Sequence, residues 1–102
     1  MINMTDTDRI YNGDVGVKFE VNTGIDLTAA TGLYIKTTDP TGATDTWVGT
    51  MNAASSYVID YTSGVDELIV SGGWKGHAFV EFSPTSVHSG QVFKFKVWDK
   101  FK

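Results

Sequence analysis

The sequence predicts an all-β fold, and three observations carry that prediction. Apolar residues recur with a period of two, and no window sustains the three-and-four recurrence of an amphipathic helix. Clusters of Gly, Asn, Asp and Pro punctuate the chain at intervals of about 8 to 12 residues, the spacing of short antiparallel strands and their turns. Aromatic residues make up 13% of the chain and threonine is plentiful, a composition that suits a pleated, half-buried surface.

At 102 residues the chain has the length of one domain. A chain of that size buries roughly two-thirds of the surface that its unfolded form exposes. Residues 1–10 are polar and read as an N-terminal arm that orders on contact; residues 11–102 read as the folded domain.

The first strand is expected over Val15 to Asn22, after the Asn12-Gly13-Asp14 turn, with Val15, Val17, Phe19 and Val21 on one face and Lys18 and Glu20 on the other. Gly32 to Thr38 alternates likewise, with Leu33 and Ile35 opposite Tyr34 and Lys36. Asp39-Pro40-Thr41-Gly42 then makes a β-turn, because proline presets φ at the second position and glycine tolerates a positive φ. ATDTWVGT is the returning strand, so residues 32–50 form a hairpin.

Tyr57 to Thr62 is the next strand, with Tyr57, Ile59 and Tyr61 on one side. Ser63 to Leu68 is the one place that admits a helical turn, since Ser63 can cap it and acidic residues follow early. Gly73 to Ser83 is the longest strand, with Trp74, Gly76, Ala78, Val80 and Phe82 facing one way and Lys75, His77, Phe79 and Glu81 the other. The glycines of SGGWKG suit a bulge or close sheet packing. Pro84 to Gly90 reads as a long loop carrying His88. The final strand, Gln91 to Trp98, pairs with the long one and buries Phe93, Phe95 and Val97, leaving Lys94 and Lys96 outside. About seven strands in this order predict an antiparallel immunoglobulin-like β-sandwich, with a small barrel as the alternative closure.

The net charge of −4 argues against general affinity for nucleic acid or anionic membrane. The charge is unevenly spread, because Lys94, Lys96, Lys100 and Lys102 are four of the eight basic residues and share the last nine positions. There is no cysteine, so disulfides and thiolate metal sites are excluded. The first ten residues show no basic stretch followed by an apolar run, and no segment approaches the roughly 18 apolar residues of a membrane span. The expectation is a protein made and folded in the cytoplasm.

No catalytic constellation emerges. Nucleophilic catalysis needs a hydroxyl or thiol, a base and an orienting group in register. His77 lies in mid-strand, His88 in a connection, and Glu20, Glu67 and Glu81 are scattered. Asp39, Thr41 and Asp45 around Gly42 faintly resemble a calcium loop but lack the ligand series of an EF-hand, and the hairpin turn accounts for them. A small hydrolase is therefore not expected, and neither a cofactor nor a metal is assigned.

Trp47 and Trp98 fall off the apolar faces of their strands, which places at least one of them at the surface. With Phe79 they suggest an apolar outer patch, the mark of a protein partner, or a stacking platform for a sugar. The partner-binding set expected from the sequence is Trp47, Phe79, Lys94, Lys96, Trp98, Lys100, Phe101 and Lys102.

The order of these signals resembles a family of small bacteriophage virion proteins, related to the β-sandwich domain at the N-terminus of phage baseplate upper proteins and to tail-fibre-associated modules. The resemblance rests on Tyr11, Gly13-Asp14 and Gly16 before the first strand, on Asp26-Leu27 with Ala29-Ala30-Thr31, and on the Pro40-Thr41-Gly42 turn. It continues through Val65-Asp66-Glu67-Leu68, Gly73-Trp74 and the closing Phe93 to Val97 strand. Ile69 to Gly72 and Pro84 to Gly90 are longer than that pattern. The resemblance implies a non-enzymatic structural protein of the virion, multimeric in the particle, that binds neighbouring subunits through edge strands and loops. The alternatives are a capsid decoration protein and a carbohydrate-binding module that touches a host surface glycan.

Overall fold

The computed structural model describes residues 9–99, and among them every regular element is a strand. There are nine: β1 (Ile10–Tyr11), β2 (Lys18–Asn22), β3 (Gly32–Thr38), β4 (Thr44–Val48), β5 (Thr50–Met51), β6 (Val58–Thr62), β7 (Gly72–Ser83), β8 (Ser86–Ser89) and β9 (Phe93–Trp98). They form two sheets. The larger has the order β1-β9-β7-β3-β4, with β8 also on β7; the smaller has the order β2-β6-β5.

The sheets pack on one apolar core. Phe19 on β2 meets Trp47 on β4 and Phe95 on β9, each at 5.1 Å between ring centroids. Tyr61 on β6 stacks on Trp47 at 4.6 Å. Phe19, Ile35, Ile59, Leu68 and Val97 are fully buried among these rings. The period-two faces of β3, β7 and β9 fall as the sequence predicts, with Ile35, Trp74, Ala78, Val80, Phe93 and Val97 buried.

The hairpin expected over residues 32–50 forms as far as Val48, with Thr38 opposite Thr44 and Tyr34 opposite Val48. Its strand then changes sheets. Gly49 separates β4 in the larger sheet from β5 in the smaller, and its amide donates to the Leu33 carbonyl at 2.9 Å. A side chain has no room there, since a Cβ would stand 2.4 Å from Ile59 Cγ2 and 2.9 Å from the Asp60 carbonyl oxygen. Such sheet-switching corners are how stacked sheets share one strand.

Several expectations are corrected. Ile10, placed in the arm, is buried in strand β1, which runs parallel to β9 with Ile10 opposite Val97, so the sheets are not wholly antiparallel. Val15 is 56% exposed, because β2 begins only at Lys18 and the segment before it forms an isolated Asp14–Leu68 bridge rather than a strand. Tyr57 is likewise exposed, ahead of β6.

Ser63 to Leu68 is not helical. Ser63 Oγ instead accepts from the Val17 amide at 3.0 Å, and Asp66 takes φ 63°, which ends any right-handed turn. The connection after β7 is not a long loop either. Pro84 and Thr85 turn the chain directly into β8, so β7 carries β8 and then β9 along the same edge. Phe82 is an extra residue on β7, and one more is inserted between Ser89 and Phe93 on the other side, so the two irregularities cancel and register is kept.

Candidate functional site

The outer face of the larger sheet follows from the same alternation that fills the core. If Ile35 and Thr37 point inward on β3, then Tyr34, Lys36 and Thr38 point outward. Cross-strand register sets their neighbours: Tyr34 stands opposite Phe79, Lys36 opposite His77, and Thr38 opposite Lys75 on β7. Lys75 in turn stands opposite Lys94 on β9, and Lys96 stands opposite Gly73. Glu81 is the only acid among the outward residues of β3, β7 and β9.

Cations and aromatic rings interleave on this face. Lys36 Nζ lies 4.4 Å from the Phe79 ring centroid, and the Tyr34 ring stands 6.3 Å from the same ring. At the other end Lys96 Nζ lies 3.8 Å and the Arg9 guanidinium 4.4 Å from the Trp98 ring. Ring faces attract cations through their quadrupole, so these contacts hold long side chains flat on the sheet.

Eight basic residues are present, and setting aside Lys100 and Lys102, which lie outside the described residues, leaves six. Five of those, Arg9, Lys36, Lys75, Lys94 and Lys96, gather here; Lys18 alone lies elsewhere, 3.8 Å from Asp60. Like charges directly opposite on paired strands are destabilising, so Lys75 beside Lys94 is a cost that folding alone does not explain.

The structure thus brings together Phe79, Lys94, Lys96 and Trp98 of the expected set. Lys100, Phe101 and Lys102 lie outside the described residues. Trp47 is corrected: it is 2% exposed, stacked on Tyr61 and packed on Phe19, and cannot meet a partner or a sugar. On the side of β9 away from β7, β1 pairs with Val97 and Trp98. Sequence reasoning missed Arg9, Lys36, Lys75 and Tyr34. The outward phase of Lys36 and Lys75 was legible in the alternation, but their adjacency to Lys94 depends on strand order.

Two of the protein's concavities are lined by residues outside this face. One, of about 590 Å³, is lined by polar groups including Glu20, Asn22, Asn52 and Gln91. Within it Asn52 Nδ2 donates to Glu20 at 2.9 Å, and also to Asp60 at 2.9 Å. The other, of about 250 Å³, lies beside the β3–β4 turn. In that turn the Asp39 carboxylate accepts from the Thr41 hydroxyl and from the Thr41 and Ala43 amides, which holds its pKa below the ordinary aspartate value. Its role as a turn acceptor replaces the faint calcium loop.

Among the described residues no group of three or more His, Cys, Asp or Glu side chains is arranged to hold a metal ion. Among the described residues no helix is long and apolar enough to cross a membrane. No family model, curated protein or solved structure matches the chain.

Proposed function

We propose that this chain is a non-enzymatic assembly module that docks an acidic surface of a neighbouring protein on the outer face of its larger sheet. The observation that carries the proposal is the Lys75–Lys94 pair within a field of five cations on a protein of net charge −4. A flat face with interleaved rings and cations offers area for contact and charge for steering toward an acidic partner. The particular setting we propose is the one implied by the family resemblance: a structural protein of a bacteriophage virion, an adaptor of the tail, baseplate or fibre region, with capsid decoration as its variant. Repetition in a symmetric particle would turn a modest contact into stable attachment.

We also read the architecture as immunoglobulin-like. The order β9-β7-β3-β4 facing β2-β6-β5 corresponds to the variable-type arrangement, in which an added strand extends the sheet of the third, sixth and seventh strands. The carbohydrate-binding reading loses its aromatic platform, since Trp47 is buried and the Trp98 ring carries two cations.

The test is quantitative mass spectrometry of purified particles of the virus encoding the chain, with wild type and a Lys94→Glu/Lys96→Glu variant. A copy number typical of tail or baseplate parts, lost in the variant, is the expected result. Abundance near that of the major capsid protein would move the assignment to decoration. Absence of the wild-type chain from the particle overturns the structural role.

A further inference from the structure

The smaller cavity, of about 250 Å³, opens at the end of the inter-sheet core and is bordered by Asp39, Asp45, Asp66 and Glu67, with Thr37 in its lining. We propose that it is a binding site for an organic cation: the ammonium or guanidinium of a lysine or arginine side chain presented by a partner. This assignment is independent of the basic face and of the virion reading.

Thr37 makes this more than a cluster of acids. It sits directly opposite Asp45 in the β3–β4 register, is 2% exposed, and its Oγ1 has no hydrogen-bond partner. Buried hydroxyls are nearly always satisfied, so an orphan beside a cavity marks a place where a donor is due. The carboxylates are equally uncommitted in charge, for none of the four forms an ion pair with a described residue.

Two of them are also held in place. Glu67 accepts through one oxygen from both the Tyr61 hydroxyl and the Gly64 amide, leaving the other free. Asp39 is fixed by the hairpin turn through one oxygen in the same way. Fixed acceptors lose little freedom when a cation arrives, and hydrogen bonds to charged groups are the strong ones.

The geometry selects the type of cation. The carboxylates do not converge as ligands of one metal ion. A guanidinium fork, or an ammonium on a flexible stem, can span acceptors set further apart. Val70 and Trp74 supply an apolar wall for such a stem, and the Trp74 indole N–H is already satisfied by the Val70 carbonyl at 2.8 Å.

Titration of the isotope-labelled protein with Nα-acetyl-arginine amide and its lysine counterpart, followed by amide NMR at low salt, tests the site. Saturable shifts at Thr37, Asp45, Glu67 and Val70 are expected. Asp45→Asn should weaken binding about fivefold, and Thr37→Val about threefold. Thr37→Val should at the same time raise the melting temperature of the free protein, because it removes an unsatisfied hydroxyl at nearly constant shape. Should Asp45→Asn misfold, Asp66→Asn on the exposed turn replaces it. The proposal is overturned by the absence of saturation up to roughly 50 mM of either cation, by wild-type affinity in both variants, or by calcium saturating the site where the organic cations do not.

Discussion

The two faces of the larger sheet carry the same kinds of ring under opposite rules. Inside, Trp47, Trp74, Phe93 and Phe95 touch other rings within the apolar core, and none of them lies under a cation. Outside, Phe79 and Trp98 each lie under a cation, and Tyr34 leans on Phe79. The difference teaches that aromatic content by itself says nothing about role. A ring surrounded by rings contributes to stability through excluded water and close packing. A ring beneath a cation contributes little to folding and keeps a charged surface ordered for contact.

The sharpest way to break this comparison is to truncate one ring from each face. Trp47→Ala should cost about 3–5 kcal/mol, the range for emptying a buried tryptophan site. Trp98→Ala should cost about 1 kcal/mol or less, the size of its cation contacts. Urea unfolding of the two variants measures both, and equal losses would erase the distinction between the faces.

Next in size is the corner that lets one strand serve both sheets. Gly49→Ala should destabilise by about 1–3 kcal/mol, because its methyl group meets Ile59 and the Asp60 carbonyl and the core must shift. A wild-type midpoint would mean that the corner is slack.

Lys94→Glu sharpens the comparison from the other side. It turns an unfavourable cross-strand pair into a favourable one, so stability should rise by about 0.2–1 kcal/mol while attachment to an acidic partner falls. Thermal melts read the first effect and co-sedimentation with particles the second. A variant that loses both would show that the lysines serve the fold.

The smallest effect lies in the turns. Asp39 is held below the ordinary value of 3.8 chiefly by the Thr41 hydroxyl, and Asp26 chiefly by the Thr28 hydroxyl. A carboxyl with a lowered folded pKa contributes stability above its unfolded pKa and loses that contribution as pH falls through the folded value. Stability should therefore slope downward below pH 3.8, and less steeply in Asp39→Ala or Asp26→Ala. Parallel acid unfolding profiles in wild type and variants would remove these two groups from the account.

Much of this was legible in the residues. Alternation alone placed Ile35, Trp74, Val80 and Val97 inside, and Asp39-Pro40-Thr41-Gly42 announced its hairpin. Trp47 was misplaced because β4 is a sheet-edge strand with polar flanks: Thr44, Asp45 and Thr46 give no apolar phase from which to judge its direction. Ser63 to Leu68 offered cap and acids for a helix, yet Ser63 was claimed by Val17 across the chain. The basic face was half visible, since Lys94 and Lys96 stand in one run, whereas Lys36 and Lys75 join them only through pairings that no local pattern encodes. The acid-lined cavity was less visible still, because it assembles the β3–β4 turn with a segment some twenty residues further on.

The parallel pairing of β1 with β9 also has a mechanical side. Ile10 lies beside Val97, and the Asn12 amide donates to the Trp98 carbonyl at 2.9 Å. A pull applied upstream of Ile10 and downstream of Trp98 draws these two strands in opposite directions along their common axis. Their hydrogen bonds are then loaded together in shear, whereas β8 and β7, joined by a tight turn, would peel apart one bond at a time. Single-molecule pulling should give a higher rupture force across the first pair than across the second.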